Sequence, residues 1–200
     1  MKHTAKANSR ARTDRYHAIL QAAERLFGEK GYRAVSIEEI AGATGVSKGL
    51  VNYHFSSKKA LLEHILQDAV SALLIKWDSI AQSKGSARDK IGAAVRASFD
   101  MLSSRPYPWR IAIFQLTFEE DMKDILTYIS EESILRIERL VKDGIAAGEF
   151  RPVDSRMAAT MLLAVCTTLP FQAALQQQPV RPTREIADEI TELFYEGVRK

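Results

Sequence analysis

The chain has 200 residues, of which 46% are hydrophobic and 26% charged, with a formal net charge of +3. That is an ordinary globular composition, long enough for one large or two small domains and a sizeable core. Cys166 is the only cysteine, so no disulfide can form within the chain; with no apolar run of about 18 residues and no signal-peptide pattern, a cytoplasmic location is expected.

The charge is unevenly placed. Residues 1–60 carry eleven Lys and Arg against five Asp and Glu, a balance of +6 that leaves −3 for the rest. A basic head on a mildly acidic body suits a polyanionic partner at one end.

Residues 1–13 are small, polar and basic (Lys2, Lys6, Arg10, Arg12), and read as a flexible arm that either brushes DNA phosphates or is simply solvated. Asp14 to Glu29 reads as an amphipathic helix along Ile19, Ala22, Ala23, Leu26 and Phe27, with Gly31 as its stop. Ser36 with Glu39 forms a capping-box pattern, and Ile37, Ile40 and Ala41 share one helical face behind it. Gly45 breaks the chain and Ser47 caps a second short helix. Val46 and Val51 are expected to pack back, leaving Lys48, Gly49, Leu50 and Asn52 facing outward. Two short helices joined through a glycine turn make a helix-turn-helix, whose second helix enters a DNA major groove.

The charges near these helix starts point the same way. Lys48, Lys58 and Lys59 sit in first turns, where the helix dipole disfavours a cation by about 0.3–1 kcal/mol each, so an external anion such as phosphate is expected. Gly49 inside a helix costs roughly 1 kcal/mol against alanine, which fits the close approach of another backbone. The plainer alternative is a solvated polar face with an incidental glycine.

From Arg15 through Leu61 the chain resembles the DNA-binding domain of the tetracycline-repressor (TetR) family. The residues that carry the resemblance are Ile19, Ala22, Ala23, Leu26 and Phe27, then Gly31-Tyr32, Ser36-Ile37, Ile40-Ala41, Gly45-Val46-Ser47, Gly49, His54-Phe55, Lys58 and Leu61. One departure is Asn52, which stands where the family commonly has tyrosine, with Tyr53 beside it. Asn52 then contacts phosphate or reads adenine. Lys48, Leu50 and Asn52 are expected to face bases, and Ser36, Ser47, Tyr53, His54 and Lys58 to hold the DNA backbone around Gly49.

A long helix is expected from Ser57 to about Gln82, buried along Leu61, Leu62, Ile65, Leu66, Ala69, Leu73 and Trp77. His64 and Asp68 lie four apart on it without a third ligand nearby, so neither a metal nor a cofactor is expected. After a break at 83–86 come further helical stripes: Ile91 to Leu102, Trp109 to Phe118 behind the Pro106-Tyr107-Pro108 turn, and Ile125 to Val141, with Gly144, Gly148 and Pro152 closing the last. Met157 to Leu175 and Arg184 to Val198 read as two final helices, with Pro170 kinking the first and a loop over 176–182.

The resemblance implies an all-α protein: a three-helix helix-turn-helix domain over 1–56 and a helical ligand-binding and dimerisation domain over 57–200. It implies a small-molecule effector in the body, for which Trp77, Phe99, Trp109, Phe114, Phe118, Met122 and Tyr128 are candidate walls suited to a hydrophobic or aromatic compound. It also implies pairing of the last two helices with their copies, through Met161, Leu162, Val165, Leu169, Ile186, Ile190, Leu193 and Phe194. Pro106 to Trp109 is a candidate pocket entrance.

An enzyme would need a nucleophile with its base, a phosphate loop or metal spacing, and none occurs. Glu119-Glu120-Asp121 reads as a solvated helix start. These features together indicate a homodimeric, ligand-responsive transcriptional regulator, more a repressor than an activator, with no membrane partner. The alternatives are a non-specific architectural DNA-binding protein, which would bind any duplex alike, and a helical protein-interaction module, which would bind none.

Overall fold

The computed structural model describes residues 2–112, 122–175 and 183–200. Every regular element among them is a helix: α1 (Lys2–Lys30), α2 (Ile37–Thr44), α3 (Lys48–His54), α4 (Lys58–Gln82), α5 (Ala87–Ser104), α6 (Pro106–Ile111), α7 (Lys123–Ala146), α8 (Ser155–Leu175) and α9 (Thr183–Val198). The loop expected over 176–182, the acidic run at Glu119 and the stripe beyond Ala112 lie outside the described residues.

The chain divides into two compact units. One holds the described residues up to Asp68 together with 107–112; the other holds 69–106 and the described residues from Met122 onward. The division falls inside α4, twelve residues beyond the boundary expected at 56, because α4 is one uninterrupted helix whose first turns belong to the head.

In the head, α1 runs back to Lys2, where a flexible arm was expected. Nothing in 2–27 breaks a helix: there is no proline, and the first glycine is Gly28. That glycine has a packing cause. A Cβ on it would sit 2.2 Å from Cδ1 of Tyr107, so the tyrosine ring occupies the space a side chain would take. Tyr107 also donates its hydroxyl to Glu29 at 3.2 Å. The segment offered as a pocket entrance is thus laid against α1. Its prolines occupy the first turn of α6, where their missing N–H groups have no helical partner to lose. Ile19, Ala23, Phe27, Val35, Ile40, Val51, Phe55, Leu61, Leu62 and Ile65 form the head core.

In the second unit α5 packs against α7, α8 and α9, and α7 against α8. Ser86 and Asp89 form a full capping box at the start of α5, where the sequence alone marks only a break. Gly144, expected to help end α7, lies inside it; a Cβ there would be 2.4 Å from the Phe150 ring and 2.8 Å from Ala87 Cβ. The turn comes at Gly148, whose φ of 74° is left-handed. Phe150 then tucks beneath α7, and Arg151 donates from its guanidinium to the Gly197 carbonyl, satisfying the open end of α9. The described part of α8 runs through Pro170 as helix.

Candidate nucleic-acid interface

The helix-turn-helix forms from local signals. Ser36 Oγ accepts from the Glu39 amide at 3.1 Å and caps α2. Gly45, at φ 68°, closes it, with its N–H on the Ala41 and Gly42 carbonyls. Ser47 Oγ accepts from the Leu50 amide at 3.2 Å and caps α3. Val51 is fully buried and pins α3 to the core, while Val46 is half-buried. The outward side of α3 carries Ser47, Lys48, Gly49, Asn52 and Tyr53, all exposed, with Leu50 at the margin. This is the face expected to meet bases.

Gly49 lies in helix, and a Cβ added to it would find only Ser47 Oγ nearby, at 3.8 Å. Among the described residues no neighbour requires glycine there, in contrast to Gly28 and Gly144, and the same holds for Gly42 in α2.

The three first-turn lysines do have partners of their own. Lys48 pairs with Glu38, and Lys59 lies 4.0 Å from Glu63 on α4. Lys58 donates to the carbonyls of Tyr32 at 3.0 Å, Val35 at 3.1 Å and Arg33 at 3.4 Å, and its charge rests 4.5 Å from the Tyr32 ring centroid. Its three donors are spent on the loop between α1 and α2. The expectation that Lys58 grips DNA phosphate is corrected accordingly: it holds the scaffold. The sequence could not foretell this, since the carbonyls lie 23–26 residues earlier. Lys58 and Lys59 therefore do not call for an external anion.

Two acidic residues open α2 and turn to different partners. Glu39 pairs with Lys30 at the end of α1, and Glu38 with Lys48 at the start of α3. Those lysines hold both carboxyls below the usual carboxylate range, chiefly through the hydrogen bonds they donate. Glu38 had no signal in the sequence, where it stands ten residues from its partner. Behind α3, Tyr16 stacks on Phe55 at 5.1 Å, and His54 and His64 meet its ring edgewise. His54, expected at phosphate, is half-buried in this ring cluster. Burial and then Asp68 push the Tyr16 hydroxyl up. Among the described residues no group of three or more His, Cys, Asp and Glu is placed to hold a metal.

A cavity of about 10 Å³, the scale of a single water, lies among Trp77, Ile91, Val95, Ile137, Leu162 and Cys166. Of the expected aromatic set only Trp77 lines it. Phe99 and Met122 are buried elsewhere in the core, Tyr128 is 52% exposed, and Trp109 belongs to the head unit. Phe114 and Phe118 lie outside the described residues. Helical spacing reports that a residue is buried, not which neighbours it meets. The polar groups at the cavity are turned away from it: Trp77 Nε1 and Ser98 Oγ both donate to the Ala94 carbonyl, at 3.0 and 2.9 Å. Burial pushes the Cys166 thiol up to about 12, against the opposing pull of its hydrogen bond with Ser98.

On α8 and α9 the expected pairing residues split. Met161 (61% exposed), Val165 and Leu193 (77% exposed) face outward, joined by Met157 from outside the expected set. Met157, Met161 and Val165 recur every four residues and form one stripe on α8. Leu162 and Ile190 are buried in their own unit, whereas Phe194 is half-buried and meets Phe150 edge-on at 6.4 Å. Leu169 and Ile186 are half-buried. No helix of the described residues is long and apolar enough to cross a membrane.

Residues 19–65 match the family model for bacterial regulatory proteins, tetR family. The chain is 28% identical over 171 residues to the uncharacterized HTH-type transcriptional regulator YhgD of Bacillus subtilis, over 84% of this chain and 88% of that protein. It is 26% identical over 139 residues to the HTH-type transcriptional repressor KstR2 of Mycolicibacterium smegmatis, over 67% of this chain and 66% of that one. Among solved structures, the transcriptional regulator FadR from Bacillus subtilis in complex with stearoyl-CoA superposes with a TM-score of 0.83 at 18% identity, over 92% of this chain and all 100% of the other. The ketosteroid transcriptional regulator KstR2 of Mycobacterium tuberculosis superposes at 0.74 with 19% identity, over 93% and 95%. At such identities the superpositions establish the fold: helices throughout, with a helix-turn-helix head and a helical body.

Proposed function

We propose that the chain is a DNA-binding transcriptional regulator of the tetR family and not an enzyme, a repressor binding a near-palindromic operator as a homodimer and released by an apolar small molecule held in its body. The observation that carries the DNA reading is the outward face of α3, where Lys48, Asn52 and Tyr53 flank a glycine that the fold does not need. Lys48 suits guanine O6 and N7, Asn52 suits adenine, and Leu50 suits a thymine methyl. Ser36, Ser47 and Tyr53 are then left to meet phosphate, with Lys58 organising the loop behind them.

One such head reads one half-site. The apolar stripe Met157, Met161 and Val165 with Leu193 on α9 supports pairing with a second copy. A twofold dimer sets its recognition helices about 34–36 Å apart or a multiple of it, and its operator is correspondingly palindromic.

The effector reading rests on the apolar cavity lining and on relatives: a similar fold occurs in a regulator in complex with stearoyl-CoA and in a ketosteroid regulator. An effector acts only through tighter binding to the state that does not hold DNA. The test is selection of fragments from a random duplex pool by the purified protein, followed by competition with long-chain acyl-CoA and steroid panels. A palindromic consensus, released by a member of either panel, is expected. No affinity for any duplex at low ionic strength overturns the reading, and equal affinity for all duplexes favours the architectural alternative.

A further inference from the structure

Glu38 stands apart from the other charged residues of the head. It lies in the first turn of α2, yet its partner is the residue that opens the recognition helix, while its neighbour Glu39 is tied to Lys30 within the scaffold. Both members of the Glu38–Lys48 pair are more than half exposed, at 59% and 57%. A pair so open to water adds little to stability; the helix dipole favours a carboxylate at either position of that first turn, so what sets Glu38 apart is that it faces the residue opening α3.

A carboxylate at that place has definite consequences for a duplex. It is repelled by phosphate, and among base edges in the major groove it can accept only from amino groups, chiefly cytosine N4. Lys48 beside it can donate to guanine or, without discrimination, to phosphate. Alone, such a lysine would favour every duplex. Paired, it brings Glu38 to the duplex with it, and that carboxylate faces the polyanion unless a base amino group meets it.

We infer that Glu38 is a specificity-determining residue: set against Lys48, it makes the head present an acceptor beside a donor and so rejects duplexes that offer only phosphate there. This rests on the DNA reading of α3. The test compares Glu38→Gln with Glu39→Gln, which removes the same charge one residue away, by measuring affinity for the selected operator and for random duplex. Glu38→Gln should tighten random-duplex binding about threefold, lower the operator preference about fivefold or more, and erase information at one base position of the selected site. Glu39→Gln should leave the preference unchanged. An unaltered preference in Glu38→Gln, or the same change in both variants, overturns the inference. Absence of duplex binding by the unsubstituted protein would instead defeat the DNA reading, and this role with it.

Discussion

Lys58 donates a hydrogen bond to the carbonyl of Tyr32 at 3.0 Å while its charge lies over the ring of that same tyrosine. A lysine so engaged braces the loop before α2. Lys58→Met keeps much of the stem and removes the charged donors, so it should cost about 1–3 kcal/mol of stability. Its operator affinity should fall only as far as the helix-turn-helix loosens. The slope of affinity against salt should stay unchanged, since no phosphate contact is lost; denaturant unfolding and salt titration check the two halves. A slope reduced by about one would mean Lys58 reaches phosphate after all.

Gly49 makes the opposite demand. With an ordinary helical φ and no neighbour closer than 3.8 Å to an added methyl, Gly49→Ala should stabilise the protein by about 0.4–1 kcal/mol. DNA affinity should drop in the same variant. Thermal unfolding and operator titration together decide it: a stabilised protein with undiminished affinity would remove the reason given for this glycine.

Met161→Glu combined with Leu193→Glu places charge on the outward stripe of α8 and α9 without disturbing the buried face. The variant should keep its helical circular dichroism and turn monomeric in light scattering, losing operator binding at concentrations where the unsubstituted chain binds. A monomer in the unsubstituted chain, or an unaltered dimer in the variant, would count against this surface.

Cys166 predicts an alkaline limit. Its thiol ionises near 12 in the folded chain against 9.0 ordinarily, so the folded state holds the proton more tightly. A raised folded value gives stability that is present in full below about pH 9 and is lost as pH climbs toward 12, by up to about 4 kcal/mol. Cys166→Ser, which does not titrate in this range, should flatten that loss. Denaturant midpoints between pH 8 and 11 for both proteins measure the difference, and thiol reagents should label Cys166 at pH 8 only after unfolding.

What the sequence carried openly was local. The caps at Ser36 and Ser47, the left-handed turn at Gly45 and the buried stripe of α1 each depend on neighbours within four residues, and they stand as expected. What it concealed were partners more than one helical turn apart along the chain. Lys58 and its carbonyls, Glu38 and Lys48, Gly28 and Tyr107, and Gly144 and Phe150 are brought together only by folding, and two of those glycines exist to admit a ring. Leu162 and Leu193 had equal claim to an interface by periodicity, because a helix with an apolar stripe on each side looks alike from either.

The arrangement at Ala94 has a practical consequence for anyone seeking the inducer. Trp77 borders the cavity with its indole N–H held by that carbonyl, whereas the indole N–H of Trp109, in the head, is buried and has no hydrogen-bond partner among the described residues. The two tryptophans of the chain therefore occupy different surroundings, one in each unit. An apolar compound that widened the cavity would displace the walls around Trp77, and a Trp109→Phe protein would show the resulting change in emission without labels.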